Sequence, residues 1–359
     1  MITRKDFLKS ILASSVAGAL PHGAFANGAL GVKGPLMIPY PAKPWAQATC
    51  IVGSRPRLNL ADVKAGDYSA AMLPLYNDFC LVQDVSGRWH CIGILMEGSS
   101  FQDIRDDRLF HYVADSVQGP YRSIGVVDFG YGKSAHVWAP FIFADGHRSV
   151  MFYHYHRDAS SKESSIRLAE AADPRLESWR RGDTSKEVLL SEPDARDPHV
   201  IRDLQSGVYL MYYVCSVRSP SDLEEVVRVR TSSNLLAWSE PRTVLGAPPG
   251  YKASESVFVL QENGYYYMWI SGFDYSRMSL YISTDPFNFG NATTNRIEEQ
   301  PGHASEIVQT GGRYWMACVG IATVTDLRDG AFDLNGVFIQ PLEWKPATPE
   351  MSAKVVNSR

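Results

Sequence analysis

The sequence predicts an all-β protein, a five-bladed β-propeller with four antiparallel strands per blade, filling residues 71–346 of the 359. Three observations lead there. Compared with itself, the chain returns five similar units of roughly fifty to sixty residues each. Every unit opens on a short apolar strand, passes a glycine-containing turn and enters a strand rich in aromatic residues. Downstream of the first 26 residues, no stretch longer than about ten residues holds a helical period. A β-sandwich would show shorter and less regular repeats, so blades account for the pattern better.

The turn and aromatic strand of the first unit read Ser86-Gly87-Arg88-Trp89-His90. The second has Asp145-Gly146-His147 leading to Met151-Phe152-Tyr153, and the third Ser206-Gly207-Val208-Tyr209 leading to Tyr212-Tyr213. The fourth has Asn263-Gly264-Tyr265-Tyr266-Tyr267 and the fifth Gly311-Gly312-Arg313-Tyr314-Trp315. Glycine supplies the positive φ that a tight hairpin turn demands, and aromatic side chains favour a pleated surface. Third strands follow at Leu109-Phe110-His111-Tyr112, Ser165-Ile166-Arg167-Leu168, Val227-Arg228-Val229-Arg230 and Met278-Ser279-Leu280-Tyr281. Outer fourth strands are marked by Tyr121, Trp179 and Trp238.

The ends differ from the repeats. Residues 1–26 read as an export signal, which places the protein in the periplasm or outside the cell. Thr3-Arg4-Lys5-Asp6-Phe7-Leu8 resembles a twin-arginine start with Lys5 in place of the second arginine, which leaves both the twin-arginine and the Sec route open. An apolar stretch from Ile11 to Leu20 follows, and Ala24-Phe25-Ala26 offers the small-x-small pattern of a cleavage site. The stretch is too short for a permanent membrane span. Residues 27–70 form a Pro-rich segment, with Pro35, Pro39, Pro41 and Pro44. It is expected to cross the propeller surface and to lend a strand from Ala48 to Gly53 to the last blade. Residues 347–359 read as a frayed C-terminal tail.

Composition narrows the partners. Basic residues number 35 against 39 acidic ones, for a net charge of −4, and no basic stripe marks a nucleic-acid partner. The 18 Tyr and 8 Trp suit a β-rich core and suit stacking on sugar faces equally. Cys50, Cys80, Cys91, Cys215 and Cys318 show no metal-type spacing. Cys80 and Cys91 flank one predicted hairpin and are the one pair that could form a disulfide. His154 and His156 alternate on one strand and share a face, with no third ligand to complete a zinc site.

In a propeller, the first strand of every blade lines the axis, so matching residues of different blades converge. The five starts read Tyr76-Asn77-Asp78-Phe79, His136-Val137-Trp138-Ala139-Pro140, Ala195-Arg196-Asp197-Pro198, Ala253-Ser254-Glu255-Ser256 and Gly302-His303-Ala304-Ser305-Glu306. Asp78, Asp197 and Glu255 are expected to occupy equivalent slots in three blades. Three acids on one axis repel one another, a cost that chemistry would justify.

The order Asp78, Trp138-Ala139-Pro140, Asp197-Pro198, Glu255 and Gly302-His303 resembles glycoside hydrolase family 43, which holds arabinofuranosidases, arabinanases and xylosidases. Asn77-Asp78 and Arg196-Asp197-Pro198 also resemble the fructan-cleaving family 32, which shares the propeller. The resemblance implies that Glu255 is the general acid, Asp78 the base and Asp197 the group that holds Glu255 and tunes its pKa. A family 43 likeness implies inversion at the anomeric carbon, with the two carboxylates roughly 6.5–9.5 Å apart; a family 32 likeness implies retention at roughly 5–5.5 Å. Substrate-binding roles fall to Trp138, which either stacks on a sugar or packs between blades, to Arg196, which either meets hydroxyls or pairs with an acid, and to His303. No cofactor is expected to be required. The family 43 resemblance implies that His303 lies near the axis as the candidate ligand of a cation, such as a structural calcium ion, or of water; a satisfied polar residue is the other reading. Glu306 is a spare axial acid without a role. The implied partner is an oligo- or polysaccharide, with no nucleic acid and no membrane span. A catalytically silent glycan-binding propeller is the competing function, and the three retained acids argue against it. A propeller phosphorylase would need more axial basic residues than Arg196 and His303.

The export reading predicts that protein recovered from its native host, examined by mass spectrometry, begins near Asn27. Recovery of the full-length chain from the cytoplasm would refute it.

Overall fold

The computed structural model describes residues 34–53, 58–59, 74–98, 105–144, 148–157, 164–182, 188–190, 192, 194–218, 223–246, 254–272, 277–321 and 331–357. The Arg4 to Ala26 segment and the Asp145-Gly146-His147 turn lie outside them. Among the described residues no helix is long and apolar enough to cross a membrane.

Five antiparallel sheets form the five blades of a propeller. Blade 1 comprises Leu75–Gln83, Trp89–Met96, Arg108–Ala114 and Arg122–Asp128, each hydrogen-bonded to the next. Blade 2 comprises His136–Ala144, Ser149–His156, Ser164–Ala171 and Trp179–Arg181, with Val188–Leu190 also against its third strand. Blade 3 comprises Arg196–Arg202, Tyr209–Arg218, Leu223–Ser232 and Arg242–Gly246. Blade 4 comprises Glu255–Glu262, Tyr265–Ser271, Arg277–Ser283 and Glu298–Pro301. Blade 5 comprises His303–Thr310, Arg313–Ile321 and Ala331–Pro346.

The second strand of each blade shows why the fold forms. Along Tyr209–Arg218, Leu210, Tyr212 and Val214 point into the seam with blade 4, while Met211, Tyr213 and Cys215 point into the seam with blade 2. A strand buried on both faces reads as an unbroken apolar run, and the period of two divides that run between two cores. Five apolar clusters result, one per seam.

The N-terminal segment closes the ring. Thr49–Gly53 pairs antiparallel with the first half of the long strand Ala331–Pro346, and Met37–Pro41 pairs with its second half. Blade 5 thus takes its fourth strand from the start of the chain, and two segments far apart in sequence share one sheet. Between them Trp45 is 2% exposed in the seam of blades 4 and 5, and its indole N–H donates to the Pro301 carbonyl at 2.8 Å.

Three expectations need correction. The outer strand of blade 3 begins at Arg242, and Trp238 lies before it, with its ring edge-on to Phe152 of blade 2. The tail is docked. A short helix, Pro349–Lys354, is capped by Thr348, and the following Val356 bridges to Ser283 of blade 4. Cys80 and Cys91 cannot meet, because Cys80 pairs with Ile92 and points into the blade 1–2 seam while Cys91 points into the blade 5–1 seam. Both cysteines are free thiols.

Closure by the N-terminal segment predicts that Trp45→Ala loses about 3–5 kcal/mol of stability, the usual range for a buried tryptophan. Urea denaturation of the two proteins measures the difference. A loss below about 1 kcal/mol would show that the strap is dispensable.

Candidate active site

Each inner strand carries one β-bulge near its start. Pairing with the second strand slips between Asn77 and Phe79 in blade 1 and between Trp138 and Phe141 in blade 2. It slips between Arg196 and His199 in blade 3, Glu255 and Phe258 in blade 4, and His303 and Glu306 in blade 5. In blades 2 to 5 the second residue of the bulge has positive φ: Ala139 at 44°, Asp197 at 54°, Ser256 at 50° and Ala304 at 47°. Left-handed geometry is uncommon in residues other than glycine and strained for most of them. The register also corrects the expected alignment. Glu255 matches Trp138, Arg196 and His303, whereas Asp197 matches Ser256, one position further on. Asp78 lies inside its own, shorter bulge. The three acids therefore converge from slots that are not equivalent.

The bulges make that convergence work. In a regular strand, adjacent side chains point to opposite faces. Here Ser256 Oγ donates to Asp78 Oδ1 at 3.0 Å, while the neighbouring Glu255 places Oε2 3.9 Å from His303 Nε2. His303 Nε2 in turn stands 3.5 Å from Asp78 Oδ1. The Ser256 N–H donates to Asp197 Oδ2 at 2.8 Å. One serine thus joins Asp78 to Asp197, and one fully buried imidazole stands between Asp78 and Glu255. Neither sequence order nor composition had marked Ser256.

Electrostatics divides the acids. Burial, reinforced by the charges of Asp197 and Asp78, pushes the Glu255 carboxyl up to about 9. Burial and the Asp78 charge raise Asp197 to about 6 against the opposing pull of Arg196. Arg196 is buried and pairs with Asp194 and with Glu225 at 2.8 Å, its Nε lying 3.8 Å from Asp197. Of the two roles open to Arg196, its guanidinium is engaged in pairing with acids.

Trp138 is half-buried on the same face. The buried Asp106 fixes its plane by accepting from Trp138 Nε1 at 2.7 Å, and also meets His136 Nδ1 at 2.6 Å. His156 stacks on Trp138 with ring centroids 6.4 Å apart. His154 is buried against Ser164 Oγ at 2.8 Å, and burial lowers its pKa to about 3. Glu306 lies further down the axis. Burial raises its carboxyl well above the usual range, and it accepts from the Leu81 N–H of blade 1.

An axial cavity of about 30 Å³ is lined by Asp78, Asp197, Ser256, Ala304 and Glu306, among others. That is room for water, not for a sugar ring. A sugar would have to sit above it, at the mouth formed by the inner-strand starts. Among the described residues no group of three or more His, Cys, Asp or Glu side chains could hold a metal ion.

A five-bladed propeller with a protonated glutamic acid beside two further carboxyl groups has the equipment of a glycoside hydrolase. The sequence profile of glycosyl hydrolases family 43 matches residues 126–348, and the chain belongs to that family of glycoside hydrolases. The match covers blades 2 to 5, while Asp78 precedes it. A search of curated proteins found no match. Solved structures similar in fold include the following three. One is a family 43 β-xylosidase/α-arabinofuranosidase from a compost microbial metagenome, in complex with xylotriose and calcium-free; it is 14% identical, at 81% coverage of this chain and 95% of that one, with a TM-score of 0.54. A thermostable family 43 glycoside hydrolase is 17% identical, at 77% and 94% coverage and a TM-score of 0.58. Native arabinanase from Bacillus subtilis is 13% identical, at 76% and 95% coverage and a TM-score of 0.52.

The raised Glu255 pKa carries a stability consequence. Between its unfolded value of 4.5 and its folded value of about 9, the folded state keeps a proton that the unfolded state has released. Folding stability therefore falls as pH rises through this window. Glu255→Gln removes the penalty, so it should melt higher than wild type at pH 8, with the gap closing toward pH 5. Calorimetry across that range checks it, and a variant that melts lower at pH 8 contradicts the raised pKa.

Proposed function

We propose that the protein hydrolyses a furanoside or xyloside linkage by a two-carboxylate, inverting mechanism. The observation that carries this is the convergence of Asp78, Asp197 and Glu255 on one axial mouth through Ser256 and His303, where burial and the neighbouring acids push the Glu255 carboxyl up to about 9. Glu255 donates that proton to the glycosidic oxygen as the bond to the anomeric carbon breaks. Asp78 takes a proton from the water that attacks the anomeric carbon from the opposite face. The products are a sugar with inverted configuration and the freed alcohol, and Glu255 and Asp78 return to their starting states by exchange with solvent. Asp197 holds the Ser256 N–H and adds negative charge beside Glu255. His303 Nε2 stands 3.5 Å from Asp78 Oδ1 and 3.9 Å from Glu255 Oε2, a bound on their separation that admits both the inverting range of roughly 6.5–9.5 Å and the retaining one of roughly 5–5.5 Å.

Trp138 supplies the aromatic face for a sugar ring, its plane held by Asp106. The pentose-polymer names among the similar structures support a xylose- or arabinose-containing substrate. Export through the Arg4 to Ala26 segment would deliver the enzyme to the periplasm or beyond, where such polymers are met.

A proton donor matters most when the leaving group is poor. Glu255→Gln should lose on the order of a hundredfold or more on glycosides with sugar or alkyl leaving groups and much less on dinitrophenyl glycosides. Asp78→Asn should fail on both. NMR of the first-formed anomer should show inversion. Wild-type rates for Glu255→Gln on a poor leaving group would remove Glu255 from the role, and a retained anomer would make Asp78 a nucleophile.

A further inference from the structure

The backbone on both sides of Glu255 is held by blade 3. Ser254 immediately precedes the inner strand of blade 4. Its N–H donates to Glu225 Oε2 at 3.1 Å, and its carbonyl accepts from Arg196 Nη2 at 2.9 Å. The same Nη2 donates to Glu225 Oε1 at 2.8 Å. These contacts close a ring through Glu225, Arg196 and the Ser254 backbone. On the far side of Glu255, the Ser256 N–H is bonded to Asp197. Glu225 belongs to the third strand of blade 3, Leu223–Ser232, yet it is only 8% exposed and points back toward the axis.

We propose that Glu225 is a positioning residue for the general acid: together with Arg196 it fixes the Ser254 backbone and so aims the Glu255 carboxyl at the leaving-group oxygen. The proposal rests on the reading of Glu255 as that acid. A buried carboxylate with both oxygens occupied by donors is specific in what it tolerates. Glutamine offers one oxygen and one NH2, so at this site it must turn a donor toward either Arg196 or the Ser254 N–H. Aspartate keeps the charge opposite Arg196 but is one methylene too short to bridge both partners.

The charge has its own effect. Glu255 faces Asp197, Asp78 and Glu225, which favour its protonated form, Arg196, which opposes it, and His303. Neutralising Glu225 leaves more of the Arg196 charge acting on Glu255, which then gives up its proton at lower pH.

The experiment compares Glu225→Gln, Glu225→Asp, Glu255→Gln and, as a structural control, Glu192→Gln. Glu192 joins Arg228, Arg230 and Tyr213 away from Ser254. Each variant is assayed on a poor and a dinitrophenyl leaving group across pH, with melting temperature recorded. Glu225→Gln should lose roughly tenfold or more in kcat on the poor leaving group, with KM changed by less than about twofold and little loss on the activated one. Its high-pH limb should move to lower pH. Glu225→Asp should show the same leaving-group dependence with the limb unmoved, and it decides the question if the glutamine variant does not fold. Glu192→Gln should lower the melting temperature without any leaving-group dependence. Equal losses on both leaving groups for the Glu225 variants, while Glu255→Gln discriminates between them, would reduce Glu225 to an ion pair and overturn the proposal alone. A Glu255→Gln variant that does not discriminate would overturn the acid assignment, and the proposal with it.

Discussion

Three carboxyl groups brought together around one narrow axis repel one another when ionised. Asp78, Asp197 and Glu255 are joined through Ser256 and His303 over contacts of 2.8 to 3.9 Å, and in a largely buried site their mutual repulsion is weakly screened. The cluster resolves the conflict by keeping a proton on Glu255. That proton is what an acid catalyst needs, so in the proposed mechanism the electrostatic cost of assembling the site and its chemical use coincide. The surrounding elements either bring the acids together or keep them from separating.

The blades supply the rigidity. Each seam buries an apolar cluster, and the second strands are buried on both faces, so an inner strand cannot relax outward to relieve repulsion on the axis. The bulges add the local freedom that flat strands lack. They place Glu255 and Ser256, successive residues, on the same business, and they hold Asp197 and Ser256 at positive φ. Backbone strain of this kind persists where packing over-determines it. Ring closure through Met37–Pro41 and Thr49–Gly53 completes the constraint, since blade 5, which carries His303, would otherwise end on an open strand.

The sequence made the blades legible because their signals are local: a period of two, a glycine at each hairpin and aromatics in the second strand. The axial acids were legible because a charged residue at the head of an apolar strand stands out against its neighbours. The offset between Asp197 and Glu255 was not legible, since a bulge is a property of pairing between strands and leaves no mark in either one. Trp238 misled for the same kind of reason: an aromatic residue near a blade edge packs as well from a turn as from a strand. Glu225 was hidden by its setting. In Leu223-Glu224-Glu225-Val226-Val227 it reads as one of two solvated acids, and only the bulge-displaced start of blade 3 brings Arg196 to meet it.

Arg196 looks at first like an error in the design. A buried guanidinium next to a protonated carboxyl group should strip its proton, because a positive charge favours the carboxylate. The structure answers with two further acids. Asp194 and Glu225 bind the guanidinium directly, while Asp197 stands off at 3.8 Å from Nε. With most of its charge compensated by these partners, Arg196 is left to act through its shape, a planar fork that joins the Glu225 carboxylate to the Ser254 carbonyl. The same compensation frees Asp197, whose pKa still rises despite the adjacent cation, to share in the negative field that protects the Glu255 proton. A lysine in this position could balance charge but could not hold two acids and a carbonyl in one plane, so the requirement is for arginine geometry as much as for a positive charge.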